Sequence, residues 1–230
     1  VEYLNEWGID EIILLDISAT KNNKGPNFTI IEKISEKCMV PLTIGGGISN
    51  IDQIHKLMRC GADKVCLNRA IYNDPNFIHK AVAVFGSQCI VASIDVKLID
   101  SIYYCFDYLK KENSKNNFLD TLSEIKKLGI GEIFLNNVDK DGLKNGYDIE
   151  LIKYVLKNID VPLICCGGAG NPSHILEAIK KTNVEAIAAS NFFNFFEHSV
   201  AITKAFIMKE IELRNDSTYN YLNIDFFNNG

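Results

Sequence analysis

Asp95 closes an apolar run, CIVASIDV (89–96). A carboxylate at the end of a buried strand is placed for general acid or base work. The same position suits a structural carboxylate that accepts bonds from loop N–H groups, and position alone favours neither. No histidine competes for the role, because His55, His79, His174 and His198 all fall in helical stretches. Cys165 and Cys166 have no histidine nearby and read as buried thiols, not nucleophiles. No nucleophile motif or metal-ligand spacing is visible. Acid–base chemistry with no metal and no cofactor is the economical expectation.

Two glycine clusters supply a second kind of chemistry. VPLTIGGGISN (40–50) and VPLICCGGAGN (161–171) are nearly the same phrase, 121 positions apart. In each, the glycines precede a helix start, near Ser49 and near Asn171. Glycine lets backbone N–H groups approach a phosphate, and a helix N-terminus favours an anion. Such glycines also serve as plain tight turns. The repeat extends further: GIDEIILLDI (8–17) returns as GIGEIFLNNV (129–138) at the same offset, and GADKVCLNRAI (61–71) has a weaker echo in NVEAIAASNFF (183–193). Ordered repetition at constant spacing indicates two duplicated half-domains. Duplicated glycine clusters then predict two phosphate sites on opposite sides of one mouth, suited to a small molecule with a phosphate at each end.

The elements that must position these residues are legible. Strand candidates are 11–18, 41–46, 64–68, 89–96, 132–138, 162–167 and 186–190, mostly continuous apolar runs of the kind found in parallel sheets covered on both faces. Helices lie between them. Asp74-Pro75 and Asn171-Pro172 give an N-cap followed by proline, and Gly8, Gly61 and Gly86 mark helix ends. Repeated β–α alternation with internal duplication predicts a (βα)8 TIM barrel built from two half-barrels that meet near residue 115, as one domain over 1–230. Only seven strands are counted, and the duplicate of 89–96 would fall before Val1. The expectation is therefore a barrel whose strand 1 is absent from this chain. A lost strand would leave two edges with roughly five unmade bonds each, on the order of 10 kcal/mol, against a domain stability of about 5–15 kcal/mol. The natural protein is expected to be longer. KKENSKNN (110–117) reads as a loop insertion, and 216–230 as a patternless tail, disordered or packed beneath the barrel.

Composition narrows the partners. The net charge of −5 gives no basic face for nucleic acid. No apolar run spans a membrane and no signal peptide is visible. Seven cysteines without a CxxC pair suit a reducing, cytoplasmic compartment without disulfides or zinc. At the opposite end of the strands from Asp95, Glu11, Lys64 and Glu132 each stand at a strand start and could ring the barrel floor, a feature that is usually structural.

GIDEIILLDISA, VPLTIGGGI, GADKVCLN, FGSQCIVASIDVK, GEIFLNNVDKDGLKNGYD, GGAG and AIAAS together make the chain, from about residue 1 to 215, resemble the cyclase subunit of imidazole glycerol phosphate synthase in the histidine-biosynthesis barrel family. The resemblance implies a lyase in a glutamine amidotransferase heterodimer. A partner glutaminase docked at the barrel floor would supply ammonia, and the barrel would react it with PRFAR, a nucleotide with a phosphate at each end, to give imidazole glycerol phosphate and AICAR. Of two acid–base aspartates, one would match Asp95 and the other would belong to strand 1. Phosphate contacts would map to Gly46, Gly47, Asn68 and Arg69 in one half, and to Asp141, Gly142, Gly167, Gly168, Ala189 and Ser190 in the other. Glu11, Lys64 and Glu132 would match three of four ammonia-gate residues. The chain departs from the family pattern at Leu143, Cys166, Arg69 and the segment YYCFDYLKKENSKNN, all on the substrate side. These departures resemble those of paralogous subunits of surface-polysaccharide or modified-sugar pathways, which deliver ammonia to a third enzyme. A non-catalytic, degenerate barrel is the remaining alternative.

Overall fold

The computed structural model describes residues 1–22, 24–114, 117–194 and 197–213. Seven parallel strands carry the architecture: β1 (Ile12–Leu15), β2 (Leu42–Gly45), β3 (Lys64–Leu67), β4 (Ile90–Ile99), β7 (Glu132–Asn137), β8 (Leu163–Cys166) and β9 (Ala186–Ile187), hydrogen-bonded in that order. All seven strands expected from the apolar runs are present. Helices α1 (Glu2–Glu6), α2 (Phe28–Ser35), α3 (Ile51–Arg59), α4 (Arg69–Asn73), α5 (Pro75–Phe85), α6 (Phe118–Lys127), α7 (Ile149–Asn158), α8 (Pro172–Thr182) and α9 (Ser199–Ile207) lie before, between and after them. The fold is that of an α/β TIM-barrel-like protein, its parallel sheet running from β1 to β9 among the described residues. β9 is shorter than the expected 186–190. The tail at 216–230 lies outside the described residues. Among those described, no helix is long and apolar enough to cross a membrane.

Alternation along each strand separates two cores. Ile90, Ala92, Ile94 and Val96 of β4 join the large cluster under the helices. Val91 belongs to a second cluster with Cys66, Phe134 and Ile164, against which Ile13, Cys166, Ala186 and Ala188 pack. That cluster takes a side chain from β1, β3, β4, β7, β8 and β9, as the inner lining of a curled sheet must. Counting by two along the inner face gives Lys64–Cys66–Asn68 through β3, Val91–Ser93–Asp95 along β4 and Glu132–Phe134–Asn136 along β7. Two of these rows begin in a floor charge, and all three end in a polar group at the mouth.

The loop expected around 110–117 is corrected by the structure. β4 runs on to Ile99, turns, and pairs antiparallel with β5 (Ile102–Asp107), which pairs in turn with β6 (Glu112–Asn113). Asp100 and Ser101 both have positive φ, 47° and 65°. A two-residue turn with both φ positive matches the twist of a hairpin, and Ile99 sits opposite Ile102. Asp139 accepts the Leu98 N–H at 2.7 Å and Asp148 accepts the Tyr103 hydroxyl at 3.2 Å, fixing the turn end of the hairpin to the loop after β7.

Capping confirms the helix starts at atomic level. Asn27, Asn50, Asp74, Asn117, Asp148 and Asn171 each accept a first-turn N–H of the helix they precede. The far end of the chain is tied to the near one. Lys204, buried on α9, donates to the Gly8 carbonyl at 2.6 Å and pairs with Asp10 at 2.7 Å.

Candidate active site

The duplication is visible as paired loop geometry. After β1, Asp16 Oδ1 accepts the N–H groups of Ser18 and Ala19 at 2.9 and 3.1 Å. After β7, Asn137 Oδ1 accepts those of Asp139 and Lys140 at 3.0 and 3.1 Å, each residue 121 positions on. These turns bring a backbone carbonyl against the glycine after the neighbouring strand. A Cβ on Gly46 would overlap the Asp16 carbonyl oxygen, and one on Gly167 would stand 2.6 Å from that of Asn137. Both glycines also have left-handed φ, +107° and +100°. The glycines are therefore required by close packing of two matched turns, whatever they bind. β2 and β8, which carry them, lie two strands to either side of β4. The Gly47 N–H meets the Thr20 hydroxyl at 3.3 Å.

Asp95 occupies the centre, at the mouth end of β4 and only 9% exposed. Asn68 Nδ2 donates to its Oδ2 and Asn136 Nδ2 to its Oδ1, both at 2.9 Å. Asn68 also reaches the Ser93 carbonyl at 3.2 Å. Burial, the largest influence, raises the Asp95 pKa above the ordinary carboxylate value, while the Asn136 and Asn68 amides oppose it and Asp141 adds to it. A carboxyl so held can take a proton and return it.

Asn136 is not among the residues that the sequence singles out. The structure turns Asn137 away from the inner face, into its own loop and onto Asp148 at 3.0 Å. The missed signal was the period of two from Glu132. Arg69 opens α4 beside Asn68, and its buried Nε finds no partner among the described residues. Asp141, Gly142 and the departing Leu143, 61% exposed, form an open loop after β7. Ala189 and Ser190 follow β9 without extending it. Burial raises the pKa of both Cys165 and Cys166, the latter to about 12, so neither is a ready thiolate.

At the floor, Lys64 bridges Glu132 at 2.9 Å and Glu11 at 3.3 Å. Adjacent strands lie about 4.8 Å apart, and each glutamate belongs to a strand two removed from β3, so the curl of the sheet is what gathers them. Burial, the largest single influence, pulls the Lys64 pKa down, but the combined hydrogen bonds and charges of Glu132 and Glu11 carry it above its ordinary value. Lys64→Met should cost about 1–3 kcal/mol, chiefly by stranding the well-covered Glu132, whereas Glu11→Gln, at the exposed end, should cost under about 1 kcal/mol. Urea denaturation of both variants measures the contrast.

A parallel βα sheet with a buried carboxyl and matched glycine turns at the C-terminal ends of its strands defines a TIM-barrel-like protein, of the kind that holds small ligands at that rim. The family model described as histidine biosynthesis protein matches residues 1–197. The chain is 37% identical over 226 residues to a protein of Vibrio vulnificus (strain YJ016) provisionally named imidazole glycerol phosphate synthase subunit hisF2, covering 98% of this chain and 83% of that one. It is 38% identical over 204 residues to imidazole glycerol phosphate synthase subunit HisF of Bacillus cereus (strain G9842), covering 88% and 81%, and 37% identical over 211 residues to the HisF subunit of Clostridium botulinum (strain 657 / Type Ba4), covering 91% and 83%. The chain belongs to the histidine biosynthesis protein family.

Proposed function

We propose that this protein is the cyclase subunit of a glutamine amidotransferase, a lyase that uses ammonia from a partner glutaminase to convert PRFAR into imidazole glycerol phosphate and AICAR. The observation that carries the reading is the buried Asp95 carboxyl, held at the barrel mouth by Asn68 and Asn136. It is the residue that acid–base cyclisation requires at that place. The matched glycine turns at the ends of β2 and β8 support a ligand with a phosphate at each end, with Gly46, Gly47, Asn68 and Arg69 on one side and Asp141, Gly142, Gly167, Gly168, Ala189 and Ser190 on the other. The assembled Glu11–Lys64–Glu132 cluster supports entry of ammonia through the floor, where the glutaminase would dock. Neither nucleic acid nor membrane has a part in this reading.

A second reading is favoured by one contrast: Glu11, Lys64 and Glu132, three of the four expected gate positions, are joined at the floor, while the mouth carries Arg69, whose buried Nε has no partner among the described residues, and the exposed Leu143. That pattern suits a subunit that receives ammonia and passes it to another enzyme. Incubation with PRFAR and ammonium salts separates the two. Appearance of AICAR is expected for the cyclase. Stimulation of a glutaminase partner without PRFAR consumption would replace it with the delivery role, and neither response would leave a non-catalytic barrel.

A further inference from the structure

Carboxylate oxygens only accept hydrogen bonds, so both amides at Asp95 present nitrogen to it. Asn68 comes from the end of β3 and divides its amide between Asp95 and Ser93. Asn136 comes from the other side, in register with Asp95 across the β4–β7 ladder. Each oxygen is thus gripped once, from opposite flanks, which fixes the plane of the carboxyl.

The β5–β6 hairpin follows β4 in the chain, with β5 paired to the end of that strand. The turn end of the β4–β5 pair is fastened by Asp139 and Asp148. The β5–β6 tip is shaped by Asp107, whose Oδ1 accepts the N–H groups of Leu109 and Lys110 at 2.9 and 3.2 Å. The ring of Tyr108 meets Phe106 edge-on at 5.4 Å, and the Lys97 ammonium lies 5.5 Å from the Phe106 ring centre. Burial, the largest influence, raises the Tyr108 pKa, and the charges of Asp95 and Asp141 add to it.

We propose that Asn136 is a positioning residue of this site: its amide N–H fixes one oxygen of the Asp95 carboxyl while Asn68 fixes the other, and together they set the plane in which the acid–base group works. This rests on the reading of Asp95 as the acid–base group. The titratable groups that face Asp95 are Asp141, Tyr108, Cys66, Tyr72, Cys105 and Cys166. Burial raises the pKa of each thiol and phenol, so they stay neutral while Asp95 titrates.

The test is a 13C-carboxyl NMR titration of the aspartates in the full chain, with Asp95→Asn assigning the signal. Removing a hydrogen bond to the charged form raises a carboxyl pKa, so the Asp95 midpoint should rise by about one pH unit in Asn136→Leu. Asn136→Ser should move it the same way and serves if the leucine variant fails to fold. Asp141→Asn should lower it, since a like charge is lost. An unmoved Asp95 midpoint in both Asn136 variants overturns the proposal. In turnover, the Asn136 variants should lose about tenfold or more in kcat with little change in KM, and the acidic limb of the pH–rate profile should follow the NMR midpoint. A wild type that shows these titrations but never consumes PRFAR would refute the cyclase reading while leaving the Asn136 assignment in place.

Discussion

Asp95→Asn should abolish PRFAR turnover, with kcat falling by about 10²–10⁴-fold, while the protein keeps or gains stability. The two effects share one cause. The asparagine has the shape of the aspartic acid but cannot exchange a proton, so the chemical step fails. Its amide can still be held by Asn68 and Asn136 once one of them turns its carbonyl inward. The stability effect follows from the raised pKa of Asp95. The folded state holds this proton more tightly than the unfolded chain does. Wild-type stability therefore declines as pH rises from the ordinary aspartate value through the raised folded one. The variant lacks that decline. Below the ordinary value the two proteins should unfold alike, and above the folded value the variant should be the more stable. Urea titrations at several pH values, beside a turnover assay, measure both. Activity within a few-fold of wild type would remove Asp95 from the chemistry.

Gly168→Ala should be among the most damaging methyl additions to this chain, whereas Gly142→Ala, in the same half, should be mild. Gly168 has φ +110°, and a Cβ there would overlap the carbonyl oxygen of Gly146, whose segment is held in place because the Gly146 N–H donates to the Gly168 carbonyl at 2.9 Å. Backbone strain and backbone overlap together should cost on the order of 2–5 kcal/mol. Gly142 has φ +75° but nothing within 4 Å of its Cβ direction. Only the left-handed conformation is penalised, by about 1–2 kcal/mol. Chemical denaturation of both variants tests the difference. Equal losses would mean that conformation, not crowding, sets the need for glycine at the rim.

Much of this arrangement is legible in the sequence because the physics behind it is local. Continuous apolar runs mark strands covered on both faces, and cap residues such as Asn50 and Asp148 act within three positions of where they stand. The two halves announce themselves by spacing. What escaped reading depends on facing and on an unusual turn. Asn136 and Asn137 are adjacent polar residues at one strand end, and only the register against β4 decides which of them looks inward. The hairpin after β4 escaped because its turn uses Asp100-Ser101, where an Asn-Gly or Asp-Gly pair would have advertised positive φ. The gathering of Glu11, Lys64 and Glu132 at the floor is legible from their places at strand starts, and the curl of the sheet supplies the pairing distances.

The clasp made by Lys204 bears on how this chain reaches its folded state. Its partners, Gly8 and Asp10, are 196 and 194 residues away. Loop closure over such a span comes late and slowly compared with pairing of neighbouring βα units. During synthesis, β1 must wait until nearly the whole described chain has emerged before α9 can secure its entry. Lys204→Met should accordingly speed unfolding more than it slows folding, because a contact formed after the barrier is spent on holding the native state.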